Sequence, residues 1–169
     1  MKVLEYFFNC PEEWIHIRAL GRKLHKSPNT IRAEITLLLK QKLIVEKKDS
    51  VYRLFKANLE TQKFINLKKI DNLKKILETK LVEEIYKYYS PKAIILFGSY
   101  SRGEDLSNSD IDIGVITAKK GRVVLDKYEK KLSREIRLSL FLPSAVSEEF
   151  YNNILNGIVL KGQVKNEKF

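Results

Sequence analysis

The chain has few of the features that would point to a secreted, membrane-spanning or disordered protein. Its 169 residues include one cysteine, so no internal disulfide can form and a reducing compartment is indicated. No apolar run approaches the roughly 20 residues that span a bilayer, and there is no low-complexity tract. The start carries an early acid, Glu5, and no cleavage-site pattern, so we expect no signal peptide. These absences predict a cytoplasmic protein without a membrane segment.

Acidic residues are also in the minority. The chain has 21 Asp and Glu against 32 Lys and Arg, for a formal net charge of +11. Residues 1–56 carry 12 basic and 6 acidic side chains, whereas residues 93–169 carry 12 and 10. The excess in the first third favours a polyanionic partner for that part of the chain. A lysine-rich surface that serves only to keep the protein soluble would explain the same charge.

Residues 1–57 read as three short helices followed by a β-hairpin. Ser27 is a good helix N-cap and Pro28 suits the first helical position, so we expect the third helix to begin there. Its apolar stripe consists of Ile31, Ile35, Leu38 and Leu39. Two β-like runs, 43–47 and 51–55, follow around a tight turn at 48–50.

This arrangement resembles a winged helix-turn-helix. In that family the third helix enters the DNA major groove and the wing contacts the DNA backbone. The resemblance implies two groups of DNA-binding residues. On the helix these are Asn29, Thr30, Arg32 and Thr36, and on the wing they are Lys47 and Lys48. A module used only for protein contacts or dimerisation is the other interpretation.

Residues 58–92 form a connecting segment. Apolar residues step by three or four from Leu67 to Tyr88, which predicts one long amphipathic helix. Pro91 would end it, because proline disfavours helix in the residue before it. The apolar stripe either packs against both flanking domains or forms the seam of a homodimer.

Two strand-like runs in residues 93–117 flank a polar loop. The first ends at Gly98-Ser99, a turn that can offer backbone N–H groups and a hydroxyl to phosphate. The second begins with Asp110-Ile111-Asp112, where alternation along a strand puts both carboxylates on one face. Two adjacent carboxylates repel each other and are rarely kept without a cation. The pattern therefore predicts a nucleotide site with a divalent metal.

Gly98-Ser99, ten further residues and then Asp110-Ile111-Asp112 is similar to the motif of minimal nucleotidyltransferases of the polymerase-beta-type superfamily. The similarity covers residues 93–169 and implies a small mixed-sheet α/β domain, which makes the whole chain an α+β protein. It implies that Asp110 and Asp112 are catalytic and hold Mg²⁺, and that Gly98 and Ser99 bind the phosphates of a nucleoside triphosphate (NTP) substrate. Arg102 would either bind phosphate or position the loop.

One position departs from the family pattern. Active relatives usually carry a third carboxylate on a later strand, and here the position in register with it is Arg137. Nearby acids are Glu135, Glu148 and Glu149, of which the last two suit the first turn of a helix. Loss of a metal-binding acid slows transfer, tenfold for about each 1.36 kcal/mol added to the barrier.

Besides a structural dimeric scaffold, for which the connecting segment is the only argument, two functions remain open. One is transfer of a nucleoside monophosphate from an NTP to an acceptor hydroxyl, for example on a protein, by a domain fused to a DNA-binding module. Minimal members of the family often act as antitoxins on a HEPN toxin, which here would be a separate polypeptide. The other is a transcription regulator that senses nucleotide with weak catalysis or none.

Overall fold

A computed structural model describes residues 2–49 and 51–164 of the chain. The chain divides into two compact units between Asp71 and Asn72. The elements of the first unit are α1 (Lys2–Asn9), β1 (Ile15–His16), α2 (Ile17–Leu24), α3 (Pro28–Lys40), β2 (Ile44–Asp49), β3 (Tyr52–Ala57) and the beginning of α4 (Gln62–Glu78). The division falls within α4.

In the first unit, α3 begins where the sequence predicts. The Ser27 hydroxyl accepts a hydrogen bond from the Thr30 backbone N–H at 3.2 Å, and Pro28 is the first residue of the helix. Ile31, Ile35 and Leu38 are buried in a core shared with α1, α2 and β3. The three strands form an antiparallel sheet in the order β1-β3-β2.

The hairpin turn is shorter than predicted. Lys48 and Asp49 belong to β2, because their backbones pair with Arg53 and Tyr52 of β3. Ser50, the third residue of the predicted turn, lies outside the described residues. The strand therefore carries Lys47 and Lys48 as exposed side chains near its end.

The second unit contains a four-stranded mixed sheet. Its elements are the end of α4, α5 (Leu81–Tyr89), β4 (Ala93–Phe97), α6 (Gly98–Arg102), β5 (Ile111–Ile116), α7 (Asp126–Leu132), β6 (Ile136–Phe141), a 3-10 turn (Pro143–Ala145), α8 (Glu148–Leu155) and β7 (Ile158–Gly162). The strand order is β6-β5-β4-β7, with β5 and β6 parallel and the other pairs antiparallel. The predicted mixed sheet is confirmed.

The prediction of one continuous connecting helix is wrong. α4 ends at Glu78, and Lys80 adopts a left-handed conformation with φ of 62° before α5 begins. The Thr79 hydroxyl donates to the Ile76 carbonyl and accepts from the Leu81 N–H, so it replaces backbone hydrogen bonds of the helix. Apolar spacing continues across the break, which is why the pattern alone did not show it.

Two local predictions in the second unit also need correction. The segment after β4 is a five-residue helix, α6, rather than a loop. The spacing of Val124, Leu125, Tyr128 and Leu132 predicts a helix over residues 121–133, but α7 begins only at Asp126. Gly121 has a φ of 126°, and its carbonyl accepts a hydrogen bond from the Tyr89 hydroxyl. Residues 135–142 are predicted from the sequence to be a strand, and β6 confirms this.

The two faces of the sheet differ in how they are covered. On one face Ile111, Ile113 and Val115 of β5 are fully buried in a core that includes residues of α5 and α7. On the other face α8 packs through Tyr151 and Ile154. A methyl group at Gly114 would lie 3.3 Å from Ile154, so α8 reaches as far as Gly114 on this face. Asp112 is the next residue of β5 on the same face, and its side chain is only partly buried.

Candidate functional site

The turn after β4 and the acid pair form one site. Phe97, the last residue of β4, is the register partner of Asp112 on β5. Gly98 follows with a φ of 72°, and a Cβ there would overlap the Asp112 carboxylate. Glycine is required for both reasons, because L-residues rarely adopt this conformation and because the carboxylate fills the space. The two halves of the sequence motif are therefore adjacent in the structure.

Ser99 lies next to this close approach, within α6. Its side chain is partly exposed, and its hydroxyl has no hydrogen-bond partner among the residues that the structure describes. Its backbone carbonyl accepts a hydrogen bond from the Glu104 N–H at 3.0 Å. The hydroxyl is therefore available to a ligand.

Asp110 and Asp112 flank the first residue of β5. Ile111 between them is fully buried on the opposite face, whereas both acids are only partly buried. The pKa of Asp112 is raised above its usual range, chiefly by burial and also by the charge of Asp110, and Arg137 opposes this change. The ionised pair is therefore electrostatically unfavourable and would gain from a nearby cation.

Arg137 supplies that positive charge. It is the register partner of Asp112 on the parallel strand β6. Its Nη1 lies 2.8 Å from Asp110 Oδ2, and its Nε lies 3.6 Å from Glu135 Oε1. The side chain is 61% exposed, and a largely exposed ion pair contributes only about 0–1 kcal/mol to stability. A basic group therefore lies directly beside the acid pair, held there weakly.

The carboxylates of Asp110 and Asp112 are the hard oxygen ligands that Mg²⁺ prefers, and they face the same side of the sheet. Within residues 2–49 and 51–164, no group of three or more His, Cys, Asp or Glu side chains could hold a metal ion. The donor set fits a cation that takes its remaining ligands from phosphate and water. Arg137 would have to leave Asp110 for a cation to bind both acids.

Arg102 ends α6 with an exposed side chain. Its Nε lies 2.7 Å from Glu104 Oε2, so it forms an ion pair within its own turn. This ion pair joins the end of α6 to the first residues of the loop that leads to Asp110. A role of Arg102 in phosphate binding stays a prediction.

Sequence reasoning missed three buried polar residues near the site, Asn72, Asp105 and Arg134. Asp105 is fully buried, and its Oδ2 lies 3.0 Å from Nη2 of Arg134. Asn72 donates to Asp105 Oδ1 at 2.7 Å. Asn72 lies in an amphipathic helix and Asp105 in a polar loop, so no local pattern in the sequence marks them as partners.

The predicted DNA-binding residues lie in the first unit. Asn29, Thr30 and Arg32 are exposed on α3, and the Arg32 guanidinium donates to the Asn29 side-chain oxygen at 3.2 Å. Thr36 is also exposed, and its hydroxyl donates to the backbone carbonyl of Arg32. On β2, the ammonium group of Lys47 lies 4.6 Å from the centre of the Trp14 ring.

The described part of the chain contains no helix with the length and apolar character needed to cross a membrane. No curated protein matches the chain. Among solved structures, a crystal structure of a mutant of the toxin-antitoxin MntA-HpeT is similar, with 25% sequence identity and a TM-score of 0.41. That match covers 54% of this chain and 77% of the other.

A family model described as "Nucleotidyltransferase domain" matches residues 70–155, just over half of the 169 residues. The matched range begins in α4 and ends with α8, so it includes β4, β5 and β6 and the site between them. The chain belongs to the nucleotidyltransferase domain family.

Proposed function

We propose that this protein transfers a nucleoside monophosphate from an NTP to an acceptor hydroxyl in a Mg²⁺-dependent reaction. The observation that carries the proposal is the contact between the two halves of the motif, in which the Asp112 carboxylate fills the space beside Gly98. A phosphate bound at Gly98 and Ser99 would lie next to the acid pair. The family supports a nucleotidyltransferase role.

Each residue of the site has a task in this reaction. The backbone at Gly98 and the free hydroxyl of Ser99 bind phosphate oxygens. Asp110 and Asp112 would hold Mg²⁺, which neutralises the triphosphate when bound. In the transfer the acceptor oxygen forms a bond to the α-phosphorus, the bond from that phosphorus to the bridging oxygen breaks, and pyrophosphate leaves with the electron pair.

The proton of the acceptor hydroxyl must also be removed. A third carboxylate would do this in an active relative, but in this chain Arg137 stands beside Asp112. A guanidinium is already protonated and has no acceptor for a further proton, so the proton passes to water. We therefore expect slow transfer.

Label transfer from [α-³²P]NTPs tests this function. The full-length chain with Mg²⁺ should bind NTP and label a hydroxyl-bearing acceptor, either itself or a separate HEPN-type protein. The double variant Asp110→Ala/Asp112→Ala should lose both binding and labelling. If the double variant binds Mg-NTP as tightly as the parent, the site is wrongly assigned.

A nucleotide-sensing transcription regulator is the second candidate function. The ion pair between Arg137 and Asp110 favours it, because a basic side chain offsets part of the charge of the acid pair without a metal and cannot itself act as a base for the acceptor. In this function the first unit would be a winged helix-turn-helix that binds DNA through the exposed residues of α3 and β2. Salt-sensitive DNA binding that changes with Mg-NTP, without any label transfer, would favour the regulator over the enzyme.

A further inference from the structure

We propose that Arg134, Asp105 and Asn72 form a positioning network that fixes the loop 103–110 and so determines where Asp110 lies in the site. This inference rests on the proposed function, since the position of Asp110 matters only if the acid pair takes part in Mg-NTP binding. The loop joins α6 to β5, and the network contacts it at Asp105, Leu106 and Ser109. The three residues are not part of the site itself.

Arg134 contacts the loop at three places. Its Nη2 lies 3.0 Å from Asp105 Oδ2, and its Nη1 donates to the backbone carbonyls of Leu106 and Ser109. The bond to the Ser109 carbonyl is 2.8 Å long and lies one residue before Asp110. The Leu106 N–H in turn donates to the Ser109 hydroxyl. One guanidinium therefore fixes both ends of the segment 105–109.

Asn72 joins this loop to α4 and α6. Its Nδ2 donates to Asp105 Oδ1 at 2.7 Å and to the Tyr100 carbonyl at 2.9 Å. The guanidinium carbon of Arg134 lies 5.6 Å from the centre of the Tyr100 ring. α6 also carries Gly98 and Ser99, so the same contacts hold the phosphate-binding turn and the loop to Asp110 in one arrangement.

Stability alone is a weak reason for this network. The side chain of Arg134 is 8% exposed and that of Asp105 is fully buried, and the desolvation of two buried charges can exceed their attraction. Replacing a buried ion pair by apolar residues of similar volume often increases the stability of the fold. The geometry instead suits positioning, because a planar guanidinium presents several donors in fixed directions. A lysine could pair with Asp105 but would not hold two carbonyls in the same way.

The variant Arg134→Lys keeps the charge and removes the fork of donors. We expect amide hydrogen exchange in residues 104–110 to become at least tenfold faster, with exchange in β4 unchanged. Affinity for MgATP, with MgGTP as a second probe, should fall at least fivefold. The matched control is Tyr89→Phe, which removes the partly buried hydrogen bond to the Gly121 carbonyl, away from the loop. It should lower the melting temperature without changing loop exchange or nucleotide affinity.

The outcomes separate this inference from the proposed function. If the parent binds neither MgATP nor MgGTP, the proposed function fails, and the exchange measurement still decides whether the network fixes the loop. Unchanged loop exchange in folded Arg134→Lys overturns the network. Unchanged nucleotide affinity despite faster exchange would show that the network has no effect on the site, which also overturns the inference. If Arg134→Lys does not fold, Asn72→Ala replaces it, because this variant leaves the ion pair between Arg134 and Asp105 in place, and the same outcomes apply.

Discussion

Arg137 on β6 is the register partner of Asp112 on β5, and its guanidinium lies 2.8 Å from Asp110 Oδ2. One basic side chain thus contacts an acid pair that would otherwise repel itself. The resemblance to minimal nucleotidyltransferases predicts a metal-binding acid at this position. Both the rate of transfer and the affinity for Mg²⁺ should therefore depend on this residue.

Replacement of Arg137 by an acid should strengthen the site. We expect Arg137→Asp to raise Mg²⁺ affinity about tenfold or more and to increase label transfer, because the variant removes a competing cation and adds an oxygen ligand. Mg²⁺ titration by calorimetry and the labelling rate measure the two effects. Arg122→Asp is the control, since Arg122 is exposed in the loop before α7 and carries the same change in charge. An equal gain in the control would show that only net charge matters.

The raised pKa of Asp112 predicts a stability that depends on pH. A folded pKa above the unfolded value means that the native state binds more protons in that range, so stability falls as pH rises from about 4 through the raised pKa. Asp112→Asn removes the ionised carboxylate. The variant should melt at a higher temperature than the parent at pH 7, and the difference should shrink as the pH is lowered toward 4. Asp49→Asn, at an exposed acid, should show no such trend.

Gly98 should not tolerate a side chain. Gly98→Ala imposes a left-handed conformation on an L-residue, at about 1–2 kcal/mol, and its methyl group displaces the Asp112 carboxylate. Nucleotide affinity should fall at least tenfold when measured with MgATP and MgGTP. Gly121→Ala also places an L-residue at a positive φ, of 126°, but its methyl group meets Tyr88 instead of the acid pair. If both variants lose nucleotide binding equally, the contact at Gly98 is not specific.

The proposed DNA binding by the first unit can be tested at Arg32. Arg32→Ala should weaken binding to duplex DNA, and if Arg32 contacts a phosphate the slope of log K against log salt should decrease by about one. Fluorescence anisotropy at several salt concentrations measures the slope. Arg122→Ala, with the same loss of charge in the second unit, serves as the comparison. The same slope in parent and Arg32→Ala would remove Arg32 from the interface with the DNA backbone.

The parts of the site that follow from alternation along a strand could be predicted from the sequence. Ile111 is buried and both flanking acids face the other way, because successive side chains of a strand point to opposite faces. The place of Arg137 could also be predicted, because the resemblance to the family pattern put this residue where relatives carry an acid. The start of α3 at Pro28 followed from the local chemistry of its cap.

Other features depend on contacts between distant residues and left no local signal. The ion pair between Asp105 and Arg134 joins residues that are 29 positions apart, and each of them looks like an ordinary polar residue of a loop. The break after α4 depends on the Thr79 hydroxyl, which is only one of several polar residues on an amphipathic pattern. Gly98 to Arg102 reads as a loop because its residues are glycine, serine and arginine, yet it forms a helical turn.

The limited reach of α8 has a consequence for comparing members of the family. Ile154 and Phe141 close around Gly114, and Ser139 is the register partner of Gly114. Ser139 therefore lies beside the part of the sheet that α8 covers. Arg137, the register partner of Asp112, is the residue of β6 on this face that lies next to the acids. A single alignment column should therefore distinguish chains with a complete carboxylate set from those with a built-in counter-ion, and its identity can be read from any related sequence without a structure.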